Sequence, residues 1–165
     1  MKTVFFIRHA KSSWKDPNLR DIERPLNKRG LRDAPFMAQL LVGKKGKPDA
    51  ILSSPAVRAI TTARFFATEA EIANSDIIVE DDLYEAFPGD VFQILHRQPD
   101  LWNCLWVFGH NPTLTTLANS FSGDYVQNVP TCGIVEIRTE VEKWADLAPG
   151  RGERMNFYYP KQYFD

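Results

Sequence analysis

Cysteine is scarce in this sequence. Its 165 residues hold only Cys104 and Cys132. Each lies in or beside an apolar run, so both read as small buried hydrophobes, not as a disulfide or a metal pair. No HxH, HxxxH or CxxC spacing occurs, so no metal-ligand motif is present. No stretch approaches the length of a membrane span. The N-terminal stretch, one Lys and five strand-like residues before Arg8, is too short for a signal-peptide core. The expectation is a soluble, cytoplasmic, reduced protein without membrane contact. An excess of either charge is lacking too: 20 Lys and Arg stand against 21 Asp and Glu. That balance builds no polyanion-binding surface, so nucleic acid is not an expected partner. Repeats, low-complexity tracts and domain linkers are also missing.

The remainder is ordinary globular material, 44% apolar and 25% charged. A domain of ~150 residues buries roughly two thirds of its extended surface. Residues 1–165 are therefore read as one domain with a full core.

Strand and helix patterns alternate along the chain. Thr3 to Ile7 is a first strand, followed by a polar loop from Lys11 to Pro25. Asn27 caps a helix from Lys28 with apolar positions at Leu31, Pro35/Phe36, Leu40 and Leu41. Pro35 predicts a kink or two short pieces, and Gly43, Gly46 and Pro48 predict the end. Ala50 to Ser53 is a strand. Ser54 is an N-cap with Pro55 at the first helical position, opening a helix to about Ile72 along Val57, Ile60, Ala63/Arg64, Phe65 and Ala67. Ile77 to Val79 is a short strand, Leu83 to Phe87 a connector, and Pro88-Gly89-Asp90 opens another helix. The run Cys104 to Phe108 reads as a central strand covered on both faces. A helix from Thr113 to Phe121 and strands at Gly133 to Arg138 and Phe157 to Tyr159, the last an edge, complete an α/β fold with a mostly parallel sheet.

In such sheets ligands sit beyond the carboxyl ends of the strands. Arg8-His9 follows the first strand. Ser54-Pro55 and Arg58 follow the second, Leu83-Tyr84-Glu85 the third and Gly109-His110 the fourth. Two arginines, two histidines and a carboxylate thus converge on one edge, a set that suits phosphoryl transfer. Guanidiniums fork onto non-bridging oxygens, and helix starts at Ser54-Pro55 and Asn111-Pro112 aim N–H groups at an anion. A neutral imidazole attacks phosphorus while a carboxyl group protonates the leaving atom.

Arg8-His9-Ala10, Ser53-Ser54-Pro55-x-x-Arg58-Ala59-x-x-Thr62-Ala63 and Gly109-His110-Asn111-Pro112 resemble the histidine phosphatase superfamily. Lys11-Ser12-Ser13-Trp14 and Arg24-Pro25-Leu26-Asn27-x-x-Gly30 are most similar to its compact SixA-type branch. The resemblance covers roughly Met1 to Arg138 and implies a phosphoglycerate mutase-like, three-layer α/β/α sandwich. It also implies a metal-independent hydrolase without a cofactor. His9 is then the nucleophile that becomes phosphorylated. Arg8, Arg58, His9 and His110 bind the phosphoryl group. Glu85 is the proton donor, with Asp82 or Asp90 as alternatives. Ala10 stands where glycine is common in the superfamily.

Arg64 is surface, His96 is structural, and Trp102, Trp106 and Trp144 are packing, whereas Ser12 and Trp14 border the pocket mouth. A metal at His9 and His110 is opposed by the arginines beside them. The only long connectors, Lys11 to Leu26 and Phe121 to Cys132, leave the mouth shallow and open. That shape favours a phosphoryl group on a protein. SixA-type proteins are associated with phosphohistidine of signalling or phosphotransfer domains, so phosphohistidine is the first expected substrate. A broad small-molecule phosphoester phosphatase is the alternative, and a non-catalytic phosphate- or phosphoprotein-binding module the third reading.

Overall fold

A computed structural model describes residues 1–164. Six strands form one sheet: β1 Lys2–Arg8, β2 Ala50–Ser53, β3 Ile78–Val79, β4 Cys104–Gly109, β5 Ile134–Thr139 and β6 Glu153–Tyr158. Their order is β3-β2-β4-β1-β5-β6. The pairings β3–β2, β2–β4 and β4–β1 are parallel, and β1–β5 and β5–β6 are antiparallel. The expected mostly parallel sheet is found, with the reversal confined to the β5 side.

Strand alternation sorts the core onto two faces. Phe5 and Ile7 of β1, with Trp106 and Phe108 of β4, pack under α1 (Lys28–Lys45) and α2 (Val57–Glu69). Val4 and Phe6, with Leu105 and Val107, pack under α3 (Pro88–His96) and α4 (Thr113–Ala118). The result is the three-layer sandwich. Among the described residues no helix is long and apolar enough to cross a membrane.

Several local expectations change. The helix α1 starts where Asn27 predicts, its side chain accepting from Gly30 N–H at 2.9 Å. It then runs unbroken through Pro35 and Gly43 to the Gly46 cap. Leu31, whose carbonyl Pro35 leaves without a donor, stands half exposed where water can serve it. The buried face is Gly30, Asp33, Ala34, Met37, Ala38 and Leu41; of the expected positions Leu41 lies on it, whereas Leu31 is exposed and Leu40 half-buried. In α2 the N-cap is Ala56, not Ser54. Its buried face is Arg58, Ala59, Thr62, Ala63, Phe66 and Ala67, with Val57 turned outward. Small residues on that face allow α2 to lie close to the sheet, and this rotation carries Arg58 inward. The helix α4 is shorter than expected, and β6 begins earlier than Phe157 because its polar first half suits an exposed edge.

Candidate active site

Strand register brings the motifs level. Arg8 pairs with Gly109, and His9 N–H donates to the Gly109 carbonyl at 3.1 Å. Ser54 N–H donates to the Phe108 carbonyl at 3.0 Å. Arg8-His9, Ser53-Ser54 and Gly109-His110 therefore leave the sheet side by side, and the loop entering β5 adds Cys132, whose N–H reaches the Arg8 and His9 carbonyls at 3.1 and 3.0 Å.

His9 is buried, and its Nδ1 lies 2.7 Å from the Ala10 carbonyl. A carbonyl can only accept, so Nδ1 holds the proton and Nε2 keeps its lone pair. The Ala10 N–H donates to Thr62 Oγ1 at 3.0 Å, and that hydroxyl donates to the Arg58 carbonyl at 2.7 Å. These bonds tie the turn after β1 to the start of α2. Burial is the largest influence on the His9 ring and, against the raising effect of the Ala10 bond, lowers its pKa to about 3; His110, Arg58 and Arg8 add to the fall. The ring is neutral at neutral pH, as a nitrogen nucleophile must be.

His110 lies beside it, ring centroids 5.1 Å apart. Its Nε2 is 2.7 Å from Ser54 Oγ, and Tyr84 meets the ring edge-on at 5.6 Å. Burial, then the Arg58 charge, lowers its pKa to about 4. Arg8 Nη1 donates to the Val129 carbonyl at 3.0 Å. Burial and the neighbouring Arg58 charge both lower the Arg8 pKa. Among the described residues four buried side-chain nitrogen or oxygen atoms lack a hydrogen-bond partner, and two of them, Arg8 Nε and His110 Nδ1, belong to this cluster. An unmet buried polar group costs about 1–3 kcal/mol, and two like-charged guanidiniums oppose each other. An oxyanion relieves both.

The acids separate by environment. Glu85 is exposed, holds φ +54° and lines a cavity of about 300 Å³ with His110, Leu83, Phe87, Val107 and Leu114. A left-handed backbone is uncommon for glutamate and recurs at functional sites. Asp90 is occupied in capping α3, accepting from Phe87 N–H at 2.8 Å. Asp82 is exposed in the short turn Asp81–Leu83 and does not line that cavity. Near the helix starts, Ser54 Oγ accepts the Ala56 N–H just before α2, and Asn111 Oδ1 accepts the Thr115 N–H in the first turn of α4.

Of the mouth residues, Trp14 is 74% exposed and stacks on the Arg24 guanidinium at 3.3 Å. Ser12 is instead buried, its hydroxyl accepting from Arg24 Nη2. His96 bonds the Leu147 carbonyl at 2.6 Å, away from the cluster. Sequence reading missed Asp21, which grips Arg58, and Tyr84, which bonds Asp21. The i, i+3 spacing of Asp21 and Arg24 is their one local signal, because the Arg58 and Tyr84 contacts span 37 and 63 positions. No group of three or more His, Cys, Asp or Glu side chains gathers as metal ligands do among the described residues.

An α/β sheet edge that presents two guanidiniums, a neutral imidazole with a free lone pair and a second imidazole with an unmet nitrogen is equipped to hold and move a phosphoryl group. The model of the histidine phosphatase superfamily (branch 1) matches residues 4–111. The chain belongs to that superfamily, on its SixA-type branch, and is a phosphatase. A structure described as the phosphohistidine phosphatase SixA of Agrobacterium tumefaciens is similar at a TM-score of 0.82 and 26% identity, over 96% of this chain and 98% of that one. A SixA protein histidine phosphatase complexed with tungstate shares the fold at a TM-score of 0.81 and 22% identity, over 97% and 98% of the two chains. An uncharacterized protein of Mycobacterium tuberculosis is 33% identical over 94% of this chain and 100% of its own.

Proposed function

We propose that the protein is a metal-independent phosphohistidine phosphatase whose single domain, residues 1–165, works through a phosphorylated His9. The observation that carries this reading is the His9 tautomer: Nδ1–H is committed to the Ala10 carbonyl, so Nε2 is the nitrogen free to attack. In the first half-reaction Nε2 forms a bond to phosphorus as the bond to the leaving atom breaks. Arg8, Arg58 and His110 donate to the three non-bridging oxygens, and Glu85 gives its proton to the leaving atom. In the second, Glu85 takes a proton from water as that water displaces the phosphoryl group from His9, and inorganic phosphate leaves.

The substrate reading rests on likeness to SixA proteins and on the shallow mouth expected from the short connectors. A P–N bond suits an exposed acid such as Glu85, because imidazole leaves readily once protonated. A phosphorylated protein is the proposed partner and the cytoplasm the proposed setting, which accords with two free cysteines. The small-phosphoester reading is favoured by one observation, the cavity beside His110, whose apolar walls could seat the organic part of a small substrate.

The test is hydrolysis of a phosphohistidine protein against a panel of sugar phosphates, nucleotides and an aryl phosphate, with excess EDTA throughout. The expected result is preference for phosphohistidine, turnover unaffected by EDTA and loss of turnover in His9→Ala. A metal requirement would overturn the mechanism, and preference for one small ester would replace the substrate. Vanadate, an oxyanion like the tungstate in the SixA complex, should inhibit.

A further inference from the structure

Arg58 does not reach the site unaided. Its Nη1 donates to the Asp21 carbonyl at 2.7 Å and its Nη2 to Asp21 Oδ2 at 2.9 Å. Two bonds from the ends of one guanidinium to one residue fix the plane of the fork and leave three N–H groups for an oxyanion. The same Oδ2 accepts from Tyr84 Oη at 2.7 Å, and Oδ1 accepts from Arg24 Nη1 at 2.8 Å. Arg24 is itself anchored on the Ser13 carbonyl at 3.1 Å and on Ser12 Oγ. Asp21 thereby joins three elements: the loop after β1, the start of α2 and the connector bearing Tyr84 and Glu85.

We infer that Asp21 is a positioning residue that sets Arg58 for phosphoryl transfer. This rests on the reading of Arg58 as a phosphoryl ligand. An ordinary surface ion pair contributes little and holds no fixed geometry. Asp21 differs in its geometry. Its half-exposed side chain takes three donors, its carbonyl accepts from Arg58 Nη1 and from the Arg24 N–H, and the Arg58 side chain it grips is only 8% exposed. Tyr84 donates to the same Oδ2 that holds Arg58 Nη2, so its hydroxyl braces the oxygen that sets Arg58. The carboxylate is held well below the usual range, chiefly by the Tyr84 bond and then by those from Arg58 and Arg24. It is therefore a fixed anion and not a proton donor.

A double-mutant cycle with an aryl phosphate tests this. Asp21→Asn keeps the shape and the backbone bond to Arg58 but weakens the side-chain grip. The expected result is a fall in kcat of about tenfold with KM changed by less than about threefold, and almost no further fall when the substitution is made in Arg58→Ala. Tyr84→Phe should lower kcat by roughly twofold to fivefold and be equally silent in Arg58→Ala. Losses that multiply in the Arg58→Ala background, or a wild-type kcat in Asp21→Asn, would overturn the inference and leave the role of Arg58 intact. A wild-type rate in Arg58→Ala would remove that role itself. Thermal melting of each variant accompanies the rates, since a purely structural Asp21 would lower the melting temperature without coupling to Arg58.

Discussion

At the scale of single residues, the cluster works by denying water to groups that then need an anion. Arg58 is 7% exposed and His9 7% exposed, so the charge of Arg58 acts with little solvent screening. On the proposed mechanism, replacing it by alanine removes a donor to the transferring group. A loss of this kind costs about 3 kcal/mol, or roughly two orders of magnitude in kcat/KM. Steady-state kinetics on an aryl phosphate should show that fall, and a rate within a few-fold of wild type would contradict the role. Glu85 belongs to the same scale but makes a different prediction. It is the proposed proton donor and an exposed one, so its value should depend on the leaving group. Glu85→Gln should slow phosphoester cleavage more than phosphohistidine cleavage, because an alkoxide needs its proton and a protonated imidazole does not. Equal losses on both substrates would count against Glu85 as the donor.

At the scale of elements, the site depends on how closely backbones approach. Gly30 in α1 sits against the loop after β1 so tightly that an added Cβ would lie 2.2 Å from the Lys11 carbonyl oxygen. Backbone cannot yield as a side-chain tip does. Gly30→Ala should therefore destabilise the fold by about 2 kcal/mol or more and displace Ser12 and Arg24, whose loop it holds, lowering activity in parallel. Urea unfolding and kinetics on the same preparation would check both. The contact explains what could be read from sequence and what could not. Ala50–Ser53, Pro88–His96 and Cys104–Gly109 were legible because their ends carry local signals: a Ser-Pro turn, a Pro-Gly-Asp start, a Gly-His break. The gathering of Arg8, His9, Arg58 and His110 at one sheet edge was legible because each stands at a strand end or within a few residues beyond it. The buried faces of α1 and α2 were legible in part: Leu41, Ala63 and Ala67 are buried as expected, whereas Leu31 and Val57 are exposed. Close packing there also uses Gly30, Ala34 and Ala59, small residues that a hydrophobic pattern undercounts. Asp21 and Tyr84 stayed hidden for another reason: their significance lies in contacts between distant segments, which one-dimensional spacing does not encode.

At the scale of the whole molecule, the site taxes stability, and the tax has a pH signature. Both His9 and His110 are held neutral, at about 3 and about 4, against 6.5 for the free side chain. In the unfolded chain both take up protons as pH falls below about 6.5, whereas the folded protein refuses them until much lower pH. The unfolded state therefore binds more protons between pH 6.5 and 4, and folding stability must fall as pH falls through that window. Each fully shifted histidine contributes a slope approaching about 1.4 kcal/mol per pH unit. Above pH 7 neither contributes, because both states are neutral. Asp21, whose folded pKa is also depressed, acts lower down. Its stabilisation is complete above the ordinary carboxylate range and is lost only as pH drops below about 4. The interval from pH 6.5 to 5 therefore isolates the histidines. Urea unfolding at half-unit steps across it should show stability declining with acid in the wild type and declining about half as steeply in His9→Asn. A flat wild-type profile, or an unchanged slope in His9→Asn, would mean that His9 is not held neutral by the fold, and the proposed nucleophile would then lose the lone pair on which that role depends.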